Sequence, residues 1–263
     1  MRRTALTLSI VVLLAGLANV SLSDIPGLSD TAKSAFVAHY DGRNGVVEAG
    51  GGVSSWTPVD MDGAPIDGLI VNRAGGAAQD MITYDGTSLT FDDVDNSASG
   101  LSGTLANAAT NGFTVVWLGY YESGMYNIGS GSYAYNIGPN DVSHQLEDGF
   151  IELYNGTTYR GDDITAYYDN NTVWSTVING SSHTAYANGT DLNVPGSAVA
   201  VAANAPILIG AYSTSAPGYD FEGSISHIMI FEAALSDTDR GLVETYLLSL
   251  SLPRIPGTLI YGK

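Results

Sequence analysis

The sequence contains no cysteine. That excludes disulfides, thiolate-ligated zinc, iron–sulfur clusters and thiol catalysis together, and leaves the redox compartment open. Positive charge is nearly as scarce, with 9 Lys+Arg against 27 Asp+Glu and only two lysines, Lys33 and Lys263. A formal charge of −18 repels nucleic-acid backbones and anionic lipid, so nucleic acid is excluded as a partner. Charged residues of both signs amount to 14% of the chain, too few to fill the solvent faces of a helix-rich or coiled-coil protein. Also missing are a phosphate loop, a dinucleotide fingerprint, a Gly-x-Ser-x-Gly elbow and a His-x-x-x-His pair.

Glycine is abundant instead, at 32 of 263 residues, and a hydrophobic content of 44% suffices for a packed core. Many turns with few charges point to an all-β protein. Arg2 and Arg3 precede an apolar run over 5–18, long enough for a signal-peptide core and too short to cross a bilayer comfortably. The expectation is therefore a secreted, extracellular protein: signal peptide 1–18, polar leader 19–34, β-sandwich 35–250 and extended tail 251–263. Contact with a membrane is expected only through the signal segment before cleavage.

Short apolar runs bounded by Gly, Asn, Asp or Pro predict strands over 35–40, 81–84, 88–91, 113–121, 150–154, 164–168, 172–178, 207–211 and 224–231. Asp169-Asn170-Asn171 and Asp85-Gly86 read as tight turns of hairpins. Tyr126-Asn127-Ile128-Gly129 recurs as Tyr135-Asn136-Ile137-Gly138, a spacing that fits two hairpin arms. One helix is signalled, by Ser236 before the acidic turn Asp237-Thr238-Asp239, with Leu242, Val243, Tyr246 and Leu247 at helical spacing.

The C-terminal third resembles the concanavalin A-like lectin/glucanase superfamily, in its laminin-G-like, pentraxin-type jelly-roll form. The likeness rests on Ile207-Leu208-Ile209-Gly210-Ala211 and on Phe221-Glu222-Gly223-Ser224-Ile225-Ser226-His227-Ile228-Met229-Ile230-Phe231. It continues through Ala234-Leu235-Ser236-Asp237-Thr238-Asp239-Arg240 and Val243-Glu244-Thr245-Tyr246-Leu247. Weaker echoes are Ala166-Tyr167-Tyr168-Asp169-Asn170, Thr83-Tyr84-Asp85-Gly86, and Ala38-His39-Tyr40-Asp41 with Val53-Ser54-Ser55-Trp56. The resemblance spans roughly residues 35–249. It implies a jelly-roll β-sandwich of two antiparallel sheets with one short C-terminal helix, and says little about function because the fold hosts lectins, enzymes and structural subunits.

Glucanases of this superfamily carry Glu-x-Asp-x-x-Glu on one strand. The nearest approach here, Glu147-Asp148-Gly149-Phe150-Ile151-Glu152, has Gly149 where the acid is needed and, read as one strand, puts Glu147 and Glu152 on opposite faces. No catalytic residue is expected. Ser123-Gly124-Met125-Tyr126-Asn127 resembles an alginate-lyase motif without its companions, and Arg160-Gly161-Asp162 is ordinary turn chemistry that also spells an integrin tripeptide. The four histidines, His39, His144, His183 and His227, are widely scattered, and His227 reads as a residue on the exposed or packed side of a strand ahead of a metal ligand.

Three sets of binding candidates remain. Clustered aromatics offer flat faces for sugar rings, with Tyr121, Tyr126, Tyr135, Tyr168 and Trp174 as the carbohydrate-binding candidates; alternation would instead send half of each cluster into the core. Asp60, Asp62, Asp93 and Asp95 crowd oxygen ligands into loops and make calcium the cofactor to test, although neither loop has EF-hand spacing. Asn155, Asn170, Asn179 and Asn188 stand in glycosylation sequons. Export, the family resemblance and surplus tyrosine together point to a non-enzymatic module that binds glycans or cell-surface ligands. The alternatives are a homo-oligomeric filament or surface-layer subunit joined through its terminal segments, and a polysaccharide-degrading enzyme.

Overall fold

The computed structural model describes residues 22, 25–59, 68–73, 82–91, 99–106, 108–123, 132–138, 142–154, 157–180, 182–196, 200–211 and 221–251. Two antiparallel sheets form a sandwich, as the turn-rich composition implied. The eight-stranded sheet runs β15 (Thr190–Asp191), β14 (Ser182–Ala187), β13 (Thr172–Asn179), β8 (Gly112–Tyr121), β17 (Gly223–Phe231), β6 (Leu89–Phe91), β5 (Thr83–Tyr84), with β1 (Phe36–Asp41) also paired to β17. The nine-stranded sheet runs β12 (Thr158–Asp163), β11 (Phe150–Tyr154), β10 (Val142–Glu147), β9 (Ser132–Ile137), β16 (Pro206–Ile209), β7 (Ser99–Thr104), β4 (Leu69–Arg73), β3 (Gly52–Trp56), β2 (Val46–Ala49).

Between the sheets lies an aromatic core that includes Trp56, Trp117, Trp174, Tyr40, Tyr121, Tyr135, Phe91, Phe113 and Phe221. A second apolar layer covers the opposite face of the eight-stranded sheet, where Val116, Leu118, Val173, Met229 and Phe231 meet Val243 and Leu247 of α2 (Asp237–Ser251). β8 is thus buried on both faces, which is why its sequence is a nearly unbroken apolar run, Phe113-Thr114-Val115-Val116-Trp117-Leu118. α2 starts where expected: Ser236 Oγ accepts from the Asp239 main-chain N–H at 3.1 Å and donates to the Asp239 carboxylate at 2.8 Å.

Four sequence expectations need correction. Residue 22 and residues 25–34 are not a separate leader, since Leu22, Ile25, Leu28 and Ala32 pack in the layer beneath α2. Nor is α2 the sole helix, because Asp30–Ser34 forms a one-turn α1 capped by Ser29, whose hydroxyl also donates to Asp239 at 3.0 Å. The predicted strand 164–168 is a 3₁₀ turn over Thr165–Tyr167, and Asp169, at φ 57°, leads from it into β13 without closing a hairpin. The Asp85-Gly86 hairpin does form, between β5 and β6. The first copy of the Tyr-Asn-Ile-Gly echo, the signal segment and residues 252–263 lie outside the described residues; the second copy lies on β9 and the turn after it.

Candidate functional site

Asp148 and Gly149, at φ 52° and 84°, form a two-residue turn with positive φ at both positions, which folds β11 back onto β10. The register sets Glu147 opposite Phe150 and Gln145 opposite Glu152. Leu146, Ile151 and Leu153 point into the core. Alternation therefore sends Gln145, Glu147, Phe150 and Glu152 to the outer face of the nine-stranded sheet. The expectation that Glu147 and Glu152 face opposite ways fails because it treated 147–152 as one strand; across the turn they share a face. The Asp-Gly dipeptide was the signal that could have shown this.

β12 adds Arg160, registered opposite Glu152. Arg160 Nε donates to Glu152 Oε1 at 2.7 Å, and its Nη2 lies 4.0 Å from Glu147 and 3.9 Å from Asp148. Gln145 Nε2 donates to the other Glu152 oxygen at 2.5 Å. Gln145 Oε1 is buried and finds no donor among the described residues. The guanidinium lies 5.2 Å above the Phe150 ring. Exposure grades across the group: the Glu152 side chain is 1% exposed and that of Arg160 44%. The patch thus has a buried polar floor and a cap that meets water. Partial burial raises the Glu147 carboxyl above its ordinary range, helped by its hydrogen bond to Glu152 and the charge there, and opposed by Arg160. Planar paired donors and acceptors beside an aromatic ring suit neighbouring hydroxyls on a saturated ring.

The predicted carbohydrate-binding aromatics fare differently. Tyr121, Tyr135 and Trp174 are buried in the core and offer no face to solvent, which corrects their assignment. Trp117 stacks on Trp174 at 5.7 Å, and Tyr121 OH lies 2.8 Å from His144 Nδ1. Tyr168 is half-buried against the same core. Tyr126, the calcium candidates Asp60, Asp62, Asp93 and Asp95, and Asn155 lie outside the described residues. Asn170, Asn179 and Asn188 are exposed. Arg160-Gly161-Asp162 lies within β12, with Arg160 held by Glu152 and Asp162 accepting from Asn193 at 2.8 Å.

No family model and no curated protein matches the sequence. Solved structures do match its fold. A Trypanosoma rangeli sialidase mutant displaying trans-sialidase activity aligns over 86% of this chain and 35% of its own, with a TM-score of 0.59 at 12% identity. The T. rangeli sialidase bound to a difluoro-KDN aligns over 82% of this chain and 33% of its own, with a TM-score of 0.58 at 11% identity. The receptor-binding domain of botulinum neurotoxin C/D mosaic serotype aligns over 81% and 52%, with a TM-score of 0.53 at 13% identity. The chain therefore spans about a third of the sialidase chains and about half of the neurotoxin domain. At these identities the likeness is one of fold, a β-sandwich of antiparallel sheets.

Proposed function

We propose that this chain is a secreted, non-enzymatic β-sandwich module of the concanavalin A-like, laminin-G-like type that binds glycans or other hydroxyl-rich surface ligands. The contact is the patch formed by Gln145, Glu147, Phe150, Glu152 and Arg160. The observation that carries the reading is the solvent-reaching Arg160 set over a buried Glu152–Gln145 pair, with an unpartnered amide oxygen beneath it. Arg160 and Glu147, 44% and 29% exposed, offer the donors and the carboxylate that a ligand meets, and the buried Glu152–Gln145 pair fixes the guanidinium in advance of binding. The fold shared with a receptor-binding domain is consistent with this use.

A glycan array probed with the purified protein, with and without calcium, tests the reading. Binding to a defined set of sugars is expected, with Arg160→Ala and Glu152→Gln each reducing it at least about tenfold, the loss of one charge-assisted hydrogen bond. No binder above background would overturn it. Release of reducing sugar from a polysaccharide, abolished by Glu147→Gln, would replace it with a hydrolase.

A further inference from the structure

Far from that patch in sequence, β1 and β17 bring together two histidines 188 positions apart. Their register sets Asp41 opposite His227 and His39 opposite Met229. Ala38, Tyr40, Ile228 and Ile230 face the core between the sheets. His39, Asp41 and His227 consequently fall on the other face, where Met229 and Phe231 meet the layer under α2, and all three are buried. His39 Nε2 lies 3.3 Å from His227 Nδ1, which lies 3.5 Å from Asp41 Oδ1. The three donor atoms all lie within 4.8 Å of one another.

These separations are long for hydrogen bonds to a ring N–H, which cluster near about 2.9–3.0 Å. They match the edges of a coordination tetrahedron, because bonds of about 2.0–2.1 Å to imidazole nitrogen set neighbouring donors about 3.3–3.4 Å apart. We propose that His39, Asp41 and His227 bind one divalent transition-metal ion of the zinc type. Two imidazoles and a carboxylate are a ligand set for such an ion, and three protein donors leave a fourth position open. Both rings are buried, and coordination takes each imidazole in its neutral form.

Asp41 already has a counter-ion. Arg43 Nε donates to Oδ1 at 2.9 Å and Nη2 to Oδ2 at 2.7 Å, while Asn44 Nδ2 donates to Oδ2 at 3.1 Å. Two positive groups at one buried carboxylate repel each other at close range, and Arg43 is the one nearer to water. Binding therefore exchanges the two: Arg43, whose side chain is 14% exposed against 3% for Asp41, moves out to water as the metal enters. The Arg43 main-chain N–H, at 2.9 Å from Oδ1, and the Trp56 indole, at 3.2 Å from the Asp41 carbonyl oxygen, hold the aspartate in place.

Chelator-stripped, full-length protein titrated with zinc in a calorimeter should take up one ion per chain. Cobalt in its place should give the visible ligand-field bands of a four-coordinate site. His39→Gln and His227→Gln should each weaken uptake at least about 100-fold, more than the loss of an outer hydrogen bond to a ligand. Arg43→Ala should bind more tightly than the parent, an effect that a purely structural ion pair would not produce; equal or weaker binding overturns the exchange. Should the histidine variants fail to fold, imidazole nitrogen spectra of the unmutated protein decide. Zinc must shift the ring nitrogens of His39 and His227 and leave those of His144 and His183 in place. No uptake, or uptake without those shifts, overturns the proposal.

Discussion

His144 occupies the middle of the aromatic core, within 6.1 Å, ring centre to ring centre, of Trp117, Tyr121, Tyr135 and Trp174. Burial lowers its pKa to about 3, whereas an unfolded chain takes up that proton near pH 6.5. The folded state thus binds fewer protons, so this residue's stabilising effect is full above pH 6.5 and declines as the pH falls toward 3, by about 1.4 kcal/mol per unit. His144→Phe keeps a ring in place but strands the Tyr121 hydroxyl, and is expected to lower stability at pH 7 by about 1–3 kcal/mol. Between pH 7 and 5 the melting temperature of the variant should then fall less than that of the parent, as scanning calorimetry would read. Gly210, part of the Ile-Gly-Ala run, has a different constraint: φ is +81° and a Cβ would meet Phe91 Cε1 at 2.2 Å. Gly210→Ala should cost about 2 kcal/mol or more in urea denaturation, from left-handed strain and crowding of the core.

At the scale of elements, α2 is tied to the sheet by a polar group as well as by its apolar stripe. Arg240 pairs with Glu244, Glu244 accepts from Ser175 at 2.7 Å, and the guanidinium lies 3.6 Å over the Tyr186 ring. Both side chains of the pair are buried. Glu244→Ala would leave Arg240 beneath the helix with only the exposed Asp237 at 3.4 Å, and should destabilise by about 3–5 kcal/mol. Replacing both, as Arg240→Met with Glu244→Leu, should recover most of that loss in the same chemical denaturation. α2 was legible in the sequence because cap and stripe agree there. β10 was not, since its inward row, Val142, His144 and Leu146, includes a histidine, while its outward row is polar, with Ser143 and Gln145 buried all the same. The patch built on it went unseen for the same reason. The tyrosines were misread in the other direction: Tyr121 lies four residues after Trp117 on one strand, so alternation alone sets both on the core face.

For the whole molecule, the sandwich was written in its turn residues and apolar runs, but strand order and the depth of the N-terminal segment were not. Pairings such as β1 with β17 join residues nearly 200 positions apart, and no local pattern reports them. The segment 19–34 reads as a leader because it is polar and carries Pro26 and Gly27; Leu22, Ile25, Leu28 and Ala32 find their cover only in the folded layer, among Val116, Met229 and Val243. Net charge, in contrast, is a property of the whole that the sequence states directly, and it has a consequence for stability. With 27 acids to 9 bases, at most a third of the acids can have a basic partner of their own, and the rest meet mainly like charge. Bringing them to the surface of a compact body costs self-repulsion that the expanded chain largely escapes. The attractions that salt would weaken are few, because bases are few, and the Arg240–Glu244 pair is buried beyond effective screening. Raising sodium chloride from about 10 to 150 mM shortens the screening length from about 30 to 8 Å. The melting temperature should therefore rise across that range at pH 7. A flat or falling curve would mean that the surface acids are locally compensated, and that the charge imbalance has no bearing on the stability of the fold.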